Sequence, residues 1–219
     1  MRVHINSREA FYTDIQVKKS LLCNECEQIF TKHGENKLAR LWATHDEFPL
    51  LDLLRSLPII EGPKFSMSDP KHLDADLLKS LFYFAVSVIW RSNCWEWGKH
   101  PSVHRGTLGE HYEKAFAAFL LCETNELVGV RLIVTVNTNP GLNSMLSFPY
   151  CVKRNGCGFH RFDVLGIHFC LLVGRNPDAE LSLPFEKTQT NTIILMRDMA
   201  LTEEVQNLAK SFCSMFPHL

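Results

Sequence analysis

From Val128 onward the hydrophobic pattern of the chain changes period. Val128, Val130, Leu132, Val134 and Val136 alternate with Gly129, Arg131, Ile133 and Thr135. Side chains two apart share one face of a strand, so this run predicts a strand with one strongly apolar face. Further strands are expected near 145–153, 158–164, 166–174 and 190–197, giving an antiparallel sheet of about five strands. Asn155-Gly156, between two of them, suits the two central positions of a tight hairpin turn.

Upstream the period is helical. Ile29, Phe30, Leu38, Leu41 and Trp42 recur at helical spacing, predicting a helix over about 25–42 that Gly34 breaks or kinks. Residues 74–91 are apolar nearly all round, through Leu77, Leu78, Leu81, Phe82, Phe84, Ala85, Val88 and Ile89, so this helix should be central. A third helix begins at Thr107, where Thr107 and Glu110 form a capping box. A closing helix is expected over 202–216, with Thr202 as its N-cap. Helices first and consecutive strands later make an α+β protein. The stretch 56–72 carries Pro58, Pro63, Pro70 and Gly62 and reads as a linker. It divides a segment 1–55 from an α+β domain 73–219.

The 23 basic and 24 acidic residues nearly cancel, to a formal charge of −1. That excludes a strongly basic, sequence-independent grip on nucleic acid, though not a local basic patch. Eight scattered cysteines, mostly in apolar surroundings, imply free thiols in a reducing, cytoplasmic setting. The opening MRVHINSREA has no apolar stretch, and the longest apolar run, about 77–90, is too short and interrupted to span a membrane. Nucleotide-binding glycine loops, G-x-S-x-G and HExxH are all missing from the sequence.

One spacing carries metal chemistry. In LLCNECEQIFTKHGEN, Cys23 and Cys26 form a Cys-x-x-Cys at the mouth of the first helix. Two sulfurs so placed can face one tetrahedral zinc ion, and a helix N-terminus favours thiolate. Two unligated cysteines in a turn is the competing reading, and a redox pair lacks its βαβ context. Three places offer the remaining ligands: Cys157 with His160 in CGFH, His100 with His104 in HPSVH, and His33 on the same helix. A partner chain is a fourth source.

The pattern LLC-x-x-CE-x-x-F-x-x-x-GE resembles that of uncharacterised bacterial proteins similar to the treble-clef zinc half of HNH endonucleases. The resemblance covers about residues 13–42 and, loosely, the LFYFAVSVIWR helix; the sheet half has no counterpart. Leu22, Cys23 and Cys26 match the family's second zinc pair. Glu27 stands where the usual histidine would be and Lys18 where the usual asparagine would be. The other CxxC of fuller relatives lies upstream of where this chain begins. The resemblance implies a structural zinc ion and a bacterial or phage-type protein of nucleic-acid or defence transactions. If catalysis survives, it implies a metal-dependent nuclease with His4 as base and Glu27 as metal ligand.

Finally, WRSNCWEWGKHPSVHRG, residues 90–106, mixes tryptophans with basic residues. Arg91, Trp95, Trp97, Lys99 and Arg105 there suit base stacking and phosphate contact, a protein interface, or the capping of a core. The sequence therefore points to a non-catalytic, zinc-stabilised recognition protein. An HNH-type nuclease, and an inhibitor or accessory subunit using the 90–106 surface, are the alternatives. Nucleic acid, another protein or a second copy of the chain are its candidate partners; a membrane is not.

Overall fold

The structure, a computed structural model, describes residues 2–5, 10–13, 21–62, 65–95, 104–174, 179–203 and 205–207. Strands β1 (Arg2–Ile5) and β2 (Ala10–Thr13) form a separate antiparallel pair, with His4 opposite Phe11. Helix α1 (Asn24–Phe30) follows, then a π turn over Thr31–Glu35 and a last helical turn, α2 (Asn36–Leu38). The break expected at Gly34 is this π turn. A Cβ on Gly34 would meet the Tyr83 ring at 3.2 Å and the Phe84 backbone at 3.3 Å, so the missing side chain lets the turn lie directly on the central helix.

That central helix is α4 (Ala75–Cys94), capped by Asp74, whose carboxylate accepts from the Asp76 N–H. It is buried over most of its circumference, as its composition requires. Phe30 packs edge-on against Tyr83 and Trp90. Two helices were not foreseen: α3 (Pro49–Arg55), started by Pro49, and α6 (Ala179–Thr188), which carries Pro184 inside it. Helix α5 (Gly109–Leu120) starts one residue later than its capping box implies. The Thr107 hydroxyl instead donates to the His104 carbonyl, and the Asn93 side chain accepts from the Leu108 N–H while donating to Glu113. The end of α4 thus holds the start of α5. Most of the expected closing helix lies outside the described residues; Met199–Leu201 form one 3-10 turn before it.

The second sheet has seven strands: β3 (Ile59–Glu61), β4 (Ser66–Ser68), β5 (Val130–Asn137), β6 (Tyr150–Arg154), β7 (Cys157–Val164), β8 (Ile167–Val173) and β9 (Thr192–Arg197). Their spatial order is β3-β4-β9-β5-β8-β7-β6. The Asn155-Gly156 turn joins β6 to β7, with both residues at positive φ as expected. The sheet is mixed rather than antiparallel, because α6 carries the chain back to lay β9 parallel to β5. The proline-rich 56–72 stretch is not a bare linker. It supplies β3 and β4, which extend the sheet beyond β9.

Period two assigns the two faces. Val130, Leu132, Val134 and Val136 of β5, with Ile167, Phe169, Leu171 and Val173 of β8, Phe162 of β7 and Ile194 of β9, pack under α4. Phe30, Leu38, Phe48, Leu50 and Leu54 belong to the same buried cluster, so segment 21–55 shares its core with the sheet. The opposite face is apolar at one end only. There Cys157, Phe159, Cys170, Leu172 and Ile193 are covered by Phe185 and Leu181 of α6. Among the described residues the other end of that face is polar and open.

Candidate functional site

The open end is a cleft of about 400 Å³. Strand parity builds it. Arg161 and Asp163 of β7, His168 of β8, Thr135 of β5 and Arg197 of β9 all project from the face that α6 leaves uncovered. Registers bring them side by side: Asp163 pairs with His168, and His168 with Thr135. Met145, Leu146 and Met199 make the apolar wall. An asparagine network fixes that wall. Buried Asn137 donates to the Asn139 carbonyl and to Asn143 Oδ1, and accepts from the Met199 N–H; Asn139 donates to Asp198.

Asp163 is the hub. His168 Nδ1 donates to its Oδ1 at 2.8 Å, which leaves Nε2 as the ring nitrogen for a ligand. The Ser147 hydroxyl donates to Oδ2 at 2.6 Å and accepts the Asp163 N–H at 2.8 Å. Ser147 is thereby tied to the carboxylate rather than to the imidazole, so the three groups do not form a nucleophilic triad. Among the described lining residues two guanidiniums accompany one carboxylate. The Nε of Arg197 is buried and makes no hydrogen bond among the described residues, while one Nη donates to the Leu201 carbonyl. A buried donor in that state is satisfied when an anionic oxygen or a water enters. A larger groove, about 690 Å³, lies between α6 and the β3–β4 hairpin. It is lined mainly by apolar side chains, and its Glu61, Asp69, Lys71 and Lys187 cancel in charge, so it selects no ligand chemistry.

The sites expected from sequence fall elsewhere. Cys23 is exposed at the N-cap of α1 and Cys26 sits in the first turn, as the knuckle requires. The Cys23 thiol is held below its ordinary value, chiefly by hydrogen bonds from the backbone and thiol of Cys26, and the Cys26 thiol is raised in turn. The donor chemistry suits zinc, but two thiols are half a tetrahedral set. Among the described residues no group of three or more His, Cys, Asp or Glu side chains is placed to hold a metal ion. Cys157 and His160 do not converge. Three residues apart on β7, they face opposite sides, Cys157 under α6 and His160 toward α4.

His160 meets His104 instead. His104 Nε2 and His160 Nδ1 are 2.7 Å apart in the interior, and Cys151 Sγ lies 3.7 Å from the other nitrogen of His160. Both ends of the His160 ring are thus engaged by different partners, a chain and not a ligand set. Burial holds His104 down to about 4; burial and the neighbouring His104 hold His160 down to about 3. Gly158 makes the room, since a Cβ there would lie 2.8 Å from the His160 ring.

In the 90–106 stretch, Arg91 is a strut. Its Nη2 donates to Glu35 at 2.6 Å and to Ser87, and its guanidinium covers Phe30. Trp95 is half-buried where α4 ends and Arg105 is exposed in the next turn. Trp97, Lys99 and His100 lie outside the described residues, as do Lys18 and the side chain of His4. Glu27 is half-exposed on α1. No helix among the described residues is long and apolar enough to cross a membrane. Comparisons with family models, curated proteins and solved structures yield no match to this chain.

Proposed function

We propose that this chain is a recognition protein whose polar sheet cleft takes a phosphate-bearing group of a nucleic-acid strand. The observation that carries the reading is the pair Arg161 and Arg197 in one cleft with the Asp163-oriented His168, Arg197 presenting a buried Nε that makes no hydrogen bond among the described residues. Guanidinium forks match phosphate oxygens, and two of them in one cleft of a chain of near-zero net charge favour a local contact over a broad electrostatic footprint. The volume suits one nucleotide rather than a duplex. With Ser147 committed to Asp163, the reading is binding without hydrolysis.

Fluorescence polarisation with a labelled single-stranded oligonucleotide tests it. Two phosphate contacts predict a shallow salt dependence, with a log–log slope of about −1.4. Arg197→Ala should weaken binding roughly tenfold to a hundredfold, and a nucleoside monophosphate should compete. Absence of binding, or binding indifferent to Arg161→Ala and Arg197→Ala, refutes the assignment.

A zinc ion at Cys23 and Cys26 remains part of the proposal, with its other ligands drawn from outside the described residues or from a second chain. Metal content of wild type and of Cys23→Ser decides it: one zinc per chain, lost in the variant. The alternative reading, a metal-dependent nuclease, has one observation in its favour. His4 falls on β1 of the strand pair that precedes, in chain order, the helix bearing Glu27. Plasmid cleavage with magnesium or manganese, lost in His4→Ala, would establish it over the binding reading.

A further inference from the structure

A second cleft, between the π turn, α4 and the end of α5 and reaching Asn191 just before β9, pairs a thiol with an imidazole. His33 and Cys122 are 89 residues apart in sequence, yet His33 Nε2 lies 3.9 Å from Cys122 Sγ. They meet over a cleft of about 310 Å³. Buried Phe82 and Tyr83 form its floor, and exposed Lys79, Asn125 and Asn191 stand on its rim.

The fold aims both groups. His33 sits in the π turn, a local change of pitch that redirects side chains and recurs at functional sites. Its ring leans on Tyr83, at 5.4 Å between centroids, and the Tyr83 hydroxyl is anchored to the Leu120 carbonyl at 2.6 Å. Cys122 lies just past the end of α5 at φ +60°, its N–H donating to the Phe119 carbonyl. A helix C-terminus does not stabilise thiolate, and the imidazole 3.9 Å away is the base within reach of the thiol proton. The 3.9 Å separation is long for a transfer, as thiol–base pairs commonly are before a ligand closes them.

We propose that Cys122 is a modification site, thiolated by a low-mass, carboxylate-bearing disulfide with His33 as base. His33 Nε2 takes the thiol proton. The Cys122 sulfur attacks one sulfur of the disulfide, forming a mixed disulfide as the original S–S bond breaks. The departing thiolate receives the proton from His33. The Cys122 sulfur and one ligand sulfur end as a new disulfide, and the other ligand sulfur leaves reduced, so electrons balance. Lys79 supplies the charge for a ligand carboxylate, and the Asn125 and Asn191 amides suit a peptide-like body. This site is independent of the arginine cleft.

Reduced full-length protein is exposed briefly to oxidised glutathione, and adducts are located by peptide mass spectrometry. Cys122 should carry the first adduct, ahead of exposed Cys23. His33→Gln should slow reaction at Cys122 roughly tenfold at pH 7. Lys79→Ala should slow glutathione but not the neutral 2-hydroxyethyl disulfide. Thermal melts check that each variant folds. Preferential labelling elsewhere, an unchanged rate in folded His33→Gln, or equal slowing of both disulfides in Lys79→Ala overturns the assignment.

Discussion

Lowering the pH should unfold this protein through one buried pair, His104 and His160. Neither is accessible to solvent beyond 1%, and they share a 2.7 Å hydrogen bond that needs one donor and one acceptor nitrogen. In the folded state they resist protonation until about pH 4 and about pH 3 respectively. In the unfolded chain each takes its proton near pH 6.5. The unfolded state therefore binds more protons between those limits, and stability falls as pH falls. It is fully present above pH 6.5 and lost progressively toward the folded values. From pH 7.5 to pH 5 each histidine contributes about 2 kcal/mol of loss, about 4 kcal/mol for the pair. With a urea m-value of about 2 kcal/mol/M, the midpoint should drop by roughly 2 M. Cys151 and Lys153 of β6 also face His160, and burial pushes the Cys151 thiol up, away from this window. The measurement is urea unfolding at pH 7.5, 6.0 and 5.0, on wild type and on His160→Gln, whose amide keeps a partner for His104. The variant should show about half the pH dependence. Equal slopes in the two proteins, or a flat wild-type midpoint, would show that the pair is not what titrates.

Gly158→Ala should cost about 1–3 kcal/mol by urea unfolding, because the new methyl lies 2.8 Å from a ring that is itself held at both ends. Arg91→Ala should lower stability by about 1 kcal/mol, since its Glu35 pair is partly exposed, and should leave oligonucleotide binding unchanged. The same substitution weakening binding would return Arg91 to the interface. Asp163→Asn should lower affinity for the oligonucleotide severalfold, by freeing His168 to turn, as read by fluorescence polarisation.

Elements with a strong period were readable from residue types. The alternation around Leu132, the apolar girth of 77–89 and the Asn155-Gly156 turn each dictate a backbone shape by local sterics, and the chain has those shapes. What depends on pairing was not readable. Ile59–Glu61 and Ser66–Ser68 are strands only because β9 offers them an edge, and β9 lies parallel to β5 only because α6 carries the chain across. Pro184 hid α6, since proline inside a helix argues against one. His160, with Cys157, and His104, with His100, are alternative ligand sources in the sequence; the two imidazoles come together with each other instead. The arginine cleft was missed although a signal existed. Arg161, Asp163, His168 and Arg197 are the polar positions of otherwise apolar strands, and strand parity places them on the face opposite α4.

The run that resembles a flexible connector has a different physical meaning at the rim of the sheet. Ile59 and Ile60 are exposed on β3, where unpaired backbone groups could recruit a stray strand from another molecule. Pro58 stands immediately before β3 and Pro63 two residues after it, which keeps the sticky border three residues long. Proline lacks the N–H that would extend such a ladder, so a border this short offers a neighbouring molecule little to pair with, a consequence felt only in a crowd.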